Sequence, residues 1–341
     1  MTFITVLLVI LGTCTSQAMS RRILNEVEVS IAGKHEEWMA KHGRTYKDND
    51  EKQKRLEIFK DNMDFVNKVN NEGNRTYKLS VNKFADLTNE EFRATRTGYK
   101  LSTEPRSTTA ETTSSFKYAS VINVPGSMDW RKKGAVTSVK DQGECECCWA
   151  FSATAAVEGL TKIKTGKLVD LSEQQLVNCA TNGNNGCHRG WMDNAFEYIV
   201  QNQGQTTETN YPYLAKDGTC DTNKASAKAA KITGFEDVPA NNEAALLKAA
   251  AHQPISVAIE GEGRDFQLYA SGIFTGGCGT DLNHAVTLVG YGVAEDGTKH
   301  WLIKNSWGEN WGEGGYMRIQ RDYSDPRGLC GIAMQPSYPV A

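Results

Sequence analysis

The sequence predicts an α+β protein in two chemically different parts, and three observations carry that reading. Of nine cysteines, Cys14 stands alone near the start and the other eight lie between Cys145 and Cys330. Residues 101–115 are rich in Ser, Thr and Glu, include Pro105 and hold almost nothing apolar, which is linker composition. Behind that linker, helical periodicity comes first and β-branched runs follow, so helices are expected before strands.

The 341 residues include 38 basic and 41 acidic ones, for a formal charge of -3, with 23% charged and 39% hydrophobic residues. Such proportions exclude a disordered or strongly basic chain and argue against a nucleic-acid partner. Phe3 to Leu11, the only long apolar run, is about half the roughly 20 residues needed to cross a bilayer, so no membrane span is expected. With small Ser16 and Ala18 behind it, the run reads as a secretory signal cleaved near Ala18, although no Lys or Arg precedes it. The clustered cysteines agree with an oxidising compartment.

In the front part, Glu51, Arg55, Phe59, Asn62, Val66 and Asn70 recur at steps of four, four, three, four and four, one stripe of one helix. An amphipathic helix with a Glu51 to Arg55 ion pair explains the spacing equally well. A second patch, Asn82-Lys-Phe84-Ala-Asp86, follows, and Asn74-Arg75-Thr76 is a glycosylation acceptor pattern.

In the rear part, Cys148 stands directly before Trp149 to Lys164, whose Phe151, Ala155, Leu160 and Ile163 fit a buried helix ending at Gly166. A cysteine at a helix start sits where unpaired N–H groups and the macrodipole favour its thiolate. His284 heads a β-branched run and Asn305 follows a short strand, so both project from strand ends. Cys, His and Asn together suit a nucleophile, its proton partner and an orienting amide. His35, His42, His252 and His300 read as structural or solvated, while His188, beside Cys187, is a rival to His284. Ser172-x-x-Gln175 suits a capping box, and Trp191, Met192, Ala195, Phe196, Ile199 and Val200 form one apolar helix face before Gly204. Strands are expected at Ile255 to Ile259, Ala285 to Val289, Trp301 to Lys304 and Tyr316 to Ile319.

These motifs together resemble a preproenzyme of the papain family of cysteine proteases. The stripe resembles the family's ERFNIN prosegment motif, with Val66 at the Ile position, and the Asn82 to Asp86 patch resembles the second prosegment motif, with Ser80 where Gly is usual. Val124-Pro-Gly-Ser-Met-Asp129-Trp130-Arg resembles the mature start. The resemblance implies a signal over 1–18, a helical inhibitory propeptide over 19–123 and a mature peptidase over 124–341 of papain-like two-lobe fold, with a helical left lobe and a β-barrel-like right lobe.

By the same resemblance Cys148 is the nucleophile, His284 its proton partner, Asn305 the orienting amide and Gln142 an oxyanion-hole donor, with Trp307 shielding the His284 to Asn305 bond. It pairs Cys145 with Cys187, Cys179 with Cys220 and Cys278 with Cys330. Cys147 is left over, either a buried inert thiol or the partner of Cys148 in a silencing disulfide. Cys-x-Cys-Cys lacks zinc-motif spacing, so no metal or other cofactor is expected. Trp191, Met192, Ala258, Leu282 and Gln335 would line the pocket for the substrate's P2 side chain.

Two departures fall beside the cleft. Where the family usually has Cys-Gly-Ser-Cys-Trp this chain has Cys145-Glu146-Cys147-Cys148-Trp149, and for Cys-Asn-Gly-Gly it has Cys187-His188-Arg189-Gly190. Glu146 and Arg189 are expected to crowd the cleft, to strain the backbone wherever φ is positive, and to pair with each other. The alternative function is therefore a catalytically silent homologue that binds proteins, its cleft blocked by these two residues. Expected partners are protein or peptide substrates, the chain's own propeptide and cystatin-like inhibitors, for a monomer in the vacuole, lysosome or extracellular space. Latency is expected to end in mild acid, as carboxylates such as Glu51 and Asp86 protonate.

Overall fold

The computed structural model describes residues 30–99 and 116–341. The signal over 1–18 and the linker over 101–115 lie outside the described residues. Among the described residues two compact units result, one of residues 30–65 with 85–87, the other of 66–84 with 88–99 and 116–341.

The first unit is built on α1 (residues 30–42) and the front of α2 (Asn49–Asn71). Asp48 starts α2 by accepting from the Glu51 amide at 2.8 Å, and Asp50 and Glu51 complement the positive end of its dipole. His35, Trp38, Tyr46 and Phe59 pack as an aromatic nest, with ring centroids 5.0 to 5.9 Å apart. The polar members of the α2 stripe hold main chain. Arg55 donates to the Asp86 carbonyl at 2.9 Å while paired with Glu51 at 2.7 Å, and Asn62 donates to the Ala85 and Leu87 carbonyls, each at 2.9 Å. The Asp86 carboxylate accepts from the Tyr46 hydroxyl at 3.0 Å and lies 3.6 Å from Arg44. Glu51 and Asp86, expected to hold the prosegment to its partners, thus have these bonds inside the prosegment's own fold.

The second unit begins with the end of α2, where Asn70 brackets Leu79 through both its amide groups. Here the front part departs from the helical expectation. Tyr77–Leu79 forms strand β1, whose three residues are too few to show a period. α3 (Asn89–Arg96) follows, with a capping box of Thr88 and Glu91. The rear part then runs β2 (Met128–Asp129), α4 (Cys148–Thr165), α5 (Glu173–Cys179), α6 (Met192–Gln201), α7 (Thr222–Ser226), β3 (Gly234–Asp237), α8 (Glu243–Ala250), β4 (Ile255–Ile259), α9 (Arg264–Gln267), β5 (Tyr269–Phe274), β6 (His284–Val293), β7 (Lys299–Lys304), β8 (Tyr316–Gln320) and β9 (Ser337–Val340).

The helices expected at 149–164 and 191–200 and all four expected strands appear within a few residues of their expected bounds. α4 ends in a left-handed Gly166, as its sequence requires. Only half of the expected capping box at Ser172 forms. Ser172 accepts from the Gln175 amide at 3.0 Å, but the Gln175 side chain accepts from the Thr206 amide at 2.7 Å instead of turning back.

The strands join as β1-β5-β8-β7-β6-β4-β9-β3, with β2 on β6. Nearly every residue of β6 is buried, because α4 lies on it, its Ser152 hydroxyl donating to the Val286 carbonyl at 2.7 Å. A polar relay joins the helices to the sheet. Lys140 pairs with Glu173 at 2.8 Å and Asp170 at 2.7 Å, while Lys304 of β7 donates to Thr137, which donates to Glu158 of α4 at 2.6 Å. Disulfides join Cys145 to Cys187, Cys179 to Cys220 and Cys278 to Cys330, leaving Cys147 and Cys148 as buried thiols.

Asn62→Ala leaves two carbonyls without this donor, each worth about 1–3 kcal/mol if buried unpaired. We expect a lower urea midpoint and faster proteolysis of the prosegment, read by denaturant titration and limited digestion of the proenzyme.

Candidate active site

Cys148 opens α4 and is fully buried, with Cys147 at the cap position. Its sulfur accepts from the Ala285 amide at 3.3 Å, which sets the thiol beside the first residues of β6. The neighbouring residue, His284, joins its Nε2 to Asn305 Oδ1 at 2.8 Å and stacks on Trp307, with centroids 4.4 Å apart. The other ring nitrogen, Nδ1, is buried with no hydrogen-bond partner among the described residues. Asn305 is held in turn, since its Oδ1 also accepts from the Ser306 amide at 2.8 Å. Gln142 is fixed by Ser306, whose hydroxyl donates to Oε1 at 2.6 Å, and its Nε2 donates to the Cys145 carbonyl at 3.0 Å. Cys148, His284, Asn305 and Gln142 are thus brought together from α4, β6 and the loops after β7 and before α4.

The rival histidine lies elsewhere. His188 is exposed and 3.4 Å from Asp217. Cys147 Sγ lies 3.0 Å from the Tyr213 hydroxyl, and burial pushes its thiol well up, which disfavours its thiolate.

The segment after α3 passes over this group. Gly98 and Tyr99 donate their amides to the Asn283 carbonyl at 3.0 and 2.9 Å, and Gly190 donates to the Gly98 carbonyl at 3.1 Å. A Cβ added at Gly98 would overlap the Glu146 carbonyl, so only glycine passes here. Gly190 is constrained from its other side, since a Cβ there would meet the Trp149 ring at 2.7 Å. Arg96 donates to the Gly143 carbonyl, and its own carbonyl accepts from Trp307 Nε1 at 3.3 Å and from Gln142 Nε2 at 3.4 Å. Beneath this, Phe84 and Phe92 meet Trp307 edge-on at 5.8 and 5.1 Å.

Tyr99 joins the buried apolar cluster that contains Met192, Ala258 and Leu282, with Trp191 and Met334 packed against it. Its hydroxyl donates to Gln335 Oε1. Sequence reasoning missed Gly98, Tyr99 and Met334, which belong to no periodic pattern.

Glu146 and Arg189 do pair, at 3.4 Å. Of the two, only Arg189 has positive φ, 84°, a conformation that costs a non-glycine residue about 1 kcal/mol or more. Neither side chain stops a main chain from running through, since Gly98 lies against Glu146 itself. Asn74 is exposed on the turn between α2 and β1.

Burial governs the protonation of the covered pair. Desolvation pushes the Cys148 thiol up to about 12, and desolvation pulls His284 down to about 4 against the opposing Asn305 bond. Burial thus disfavours the charged form of both groups.

A cleft with these elements defines a thiol peptidase carrying its own inhibitor, and the chain's relatives agree. Residues 124–340 match the papain family cysteine proteases and residues 35–92 match the cathepsin propeptide inhibitor domain, so the chain belongs to the papain family. It is 55% identical over 330 residues to the senescence-specific cysteine protease SAG12 of Arabidopsis thaliana, covering 96% of this chain and 94% of that one. Among solved structures it is similar to a recombinant stem bromelain precursor, 46% identical with TM-score 0.82, over 91% of this chain and 99% of that one. The bromelain protease from Ananas comosus in complex with the E64 inhibitor is 52% identical, TM-score 0.62, over 64% and 99%. The protein is a papain-like cysteine endopeptidase made as a latent proenzyme, its propeptide an intramolecular inhibitor. No feature among the described residues favours the silent alternative.

The lowered His284 value fixes a sign. Protonating this imidazole is harder under the cover than in water, so the covered state is favoured while His284 is neutral. That advantage is lost as pH falls from the ordinary value near 6.5 towards about 4. Alkylation of Cys148 in intact proenzyme by iodoacetamide is expected to be negligible at pH 7.5 and to rise sharply once the propeptide is removed, followed by mass spectrometry of the labelled peptide.

Proposed function

We propose that Cys148 attacks the substrate carbonyl, that His284 takes and returns the proton, that Asn305 orients His284 and that Gln142 Nε2 donates to the oxyanion. The reading is carried by Cys148 at the start of α4 against the Ala285 amide, beside a His284 to Asn305 bond of 2.8 Å. Attack on the peptide carbonyl forms the carbon–sulfur bond and gives a tetrahedral oxyanion that still carries the amide nitrogen. Its collapse expels the amine, protonated by His284, and leaves an acyl-enzyme that water hydrolyses. Trp307, stacked on His284, excludes water from the orienting bond.

The P2 pocket is formed by Trp191, Met192, Ala258, Leu282 and Gln335, beside Gly190. The propeptide fills it in reverse order, which supports the inhibitory role. In a substrate the P2 side chain precedes the carbonyl offered to Gln142, whereas Tyr99 follows Arg96, whose carbonyl is the one at Gln142. Glu146 and Arg189 edge the cleft without closing it. The chain boundaries near 18 and 123, a secretory route ending in vacuole, lysosome or outside the cell, glycosylation at exposed Asn74, a monomeric state and inhibition by cystatin-like proteins complete the reading. The start of the peptidase match at 124 supports the second boundary.

Cys148→Ala is expected to abolish peptide hydrolysis with the fold kept, since it removes no disulfide partner. His284→Ala is expected to lose about 10²–10⁴-fold in kcat, Asn305→Ala less, and His188→Ala almost nothing, measured on a fluorogenic peptide. Turnover by Cys148→Ala, or a larger loss in His188→Ala than in His284→Ala, would overturn the assignment.

Apolar P2 residues gain roughly 1.5–3 kcal/mol on burial, while an unpaired Gln335 amide costs about 1–3 kcal/mol. Gln335→Leu is expected to shift kcat/KM towards Leu and Phe and away from polar P2 residues in a P2-varied library. An unchanged profile would place Gln335 outside the pocket.

A further inference from the structure

Between the two matched domains lies a stretch, residues 93–123, that neither covers. Within it, Phe116–Ala119 is tightly held. Tyr118 is buried, stacked on His252 with centroids 4.5 Å apart and an interplanar angle of 21°, and 5.4 Å from the Tyr338 ring. Its hydroxyl donates to Gln253 Oε1 at 2.9 Å, and Gln253 is fixed by donating to the Pro339 carbonyl at 2.9 Å. Phe116 meets Tyr338 edge-on at 6.5 Å. The main chain is gripped too. Lys117 donates its amide to Glu236 at 3.2 Å, a carboxylate that also accepts from the Tyr338 hydroxyl, and the Ala119 carbonyl accepts from Lys248 at 2.9 Å. A few residues on, Ile122 is 92% exposed. Beyond the held segment the chain is thus open to solvent, where a protease can reach it.

We propose that Phe116–Ala119 is a second anchor of the propeptide, seated on an aromatic-accepting face made by β3, β9 and the end of α8, and that this face persists on the mature domain as a site for aromatic-x-aromatic peptides. The proposal rests on the boundary near 123, which puts the anchor on the propeptide side of the cut. β3 and β9 end the strand order opposite to β1. The propeptide therefore holds the sheet at both ends, through β1 on β5 and through Tyr118 on β9, and cutting the chain near 123 does not by itself free the cleft. The anchor must let go as well. Nothing in its grip is shared with the cleft, since its partners are Glu236, Lys248, His252, Gln253 and Tyr338.

The test uses full-length proenzyme carrying Cys148→Ser, which cannot degrade its own propeptide, cut in trans by a trace of active enzyme that is then inhibited. Size-exclusion chromatography with mass spectrometry follows the cut propeptide. We expect a fragment ending near 123 to co-elute with the mature domain, and Tyr118→Ala to speed its loss about tenfold, equivalent to about 1.4 kcal/mol. Tyr118→Phe, which keeps the rings and loses only the Gln253 bond, is expected to give a smaller acceleration. A labelled peptide spanning 114–121 is expected to bind the freed domain saturably, and its Tyr118→Ala version is not. Loss of the Tyr118→Ala fragment at the parent rate, or no peptide binding, with the cut found near 123, overturns the anchor while leaving the boundary. A mature chain that still carries Phe116 overturns the boundary and the anchor's release role together, and the fragment masses tell the two cases apart.

Discussion

Latency in this protein depends on one close approach, the passage of Gly98 against the Glu146 backbone beside Cys148. Because no side chain intervenes, the propeptide main chain can bond to Asn283 and Gly190 on the two sides of the cleft at once. Arg96 then falls at Gln142, and Tyr99 falls in the apolar pocket. Cys148 and His284 are fully buried here, which disfavours the charged form of each. Inhibition is thus steric through a single geometry, in which the propeptide main chain occupies the room a substrate needs.

Much of this was legible in the sequence because it is periodic or because it is chemistry. The α2 stripe showed its face, α4 showed its buried side and its Gly166 stop, and the buried strands showed their β-branched runs. Cys148, His284 and Asn305 were legible as residue types at element ends. What the stripe could not disclose was its partners. Asn62 and Arg55 hold the carbonyls of Ala85, Leu87 and Asp86, and such bonds carry no sequence pattern. β1 was too short to show a period, and Gly98, Tyr99 and Met334 matter through tertiary fit alone. Gln175 shows the limit of local rules, since a motif that suits a cap is used instead to hold the Thr206 amide.

Glu146 and Arg189 replace residues that are usually small at this edge of the cleft, and the fold answers them differently. Glu146 sits in ordinary extended pairing, its amide bonded to the Cys187 carbonyl, and turns its carboxylate to Arg189. Arg189 occupies a left-handed conformation beside a disulfide-bonded cysteine, and the Cys145 to Cys187 bridge keeps that turn in place. The pair therefore changes the charge of the cleft edge more than its width, consistent with a main chain lying in contact with Glu146.

β1 has a consequence for the protein once it is freed of its propeptide. While β1 is paired, β5 is an interior strand, and when the propeptide leaves, its unbonded amides and carbonyls become an edge on which another chain can add a strand. The sequence carries a safeguard at that point. Gly272 adopts φ of 91° within β5, and the pairing register shifts between Lys78 and Leu79, so the exposed edge is kinked where a straight partner would need it flat. The mature domain is thereby guarded against edge-to-edge aggregation by the same irregularity that the propeptide strand β1 fits.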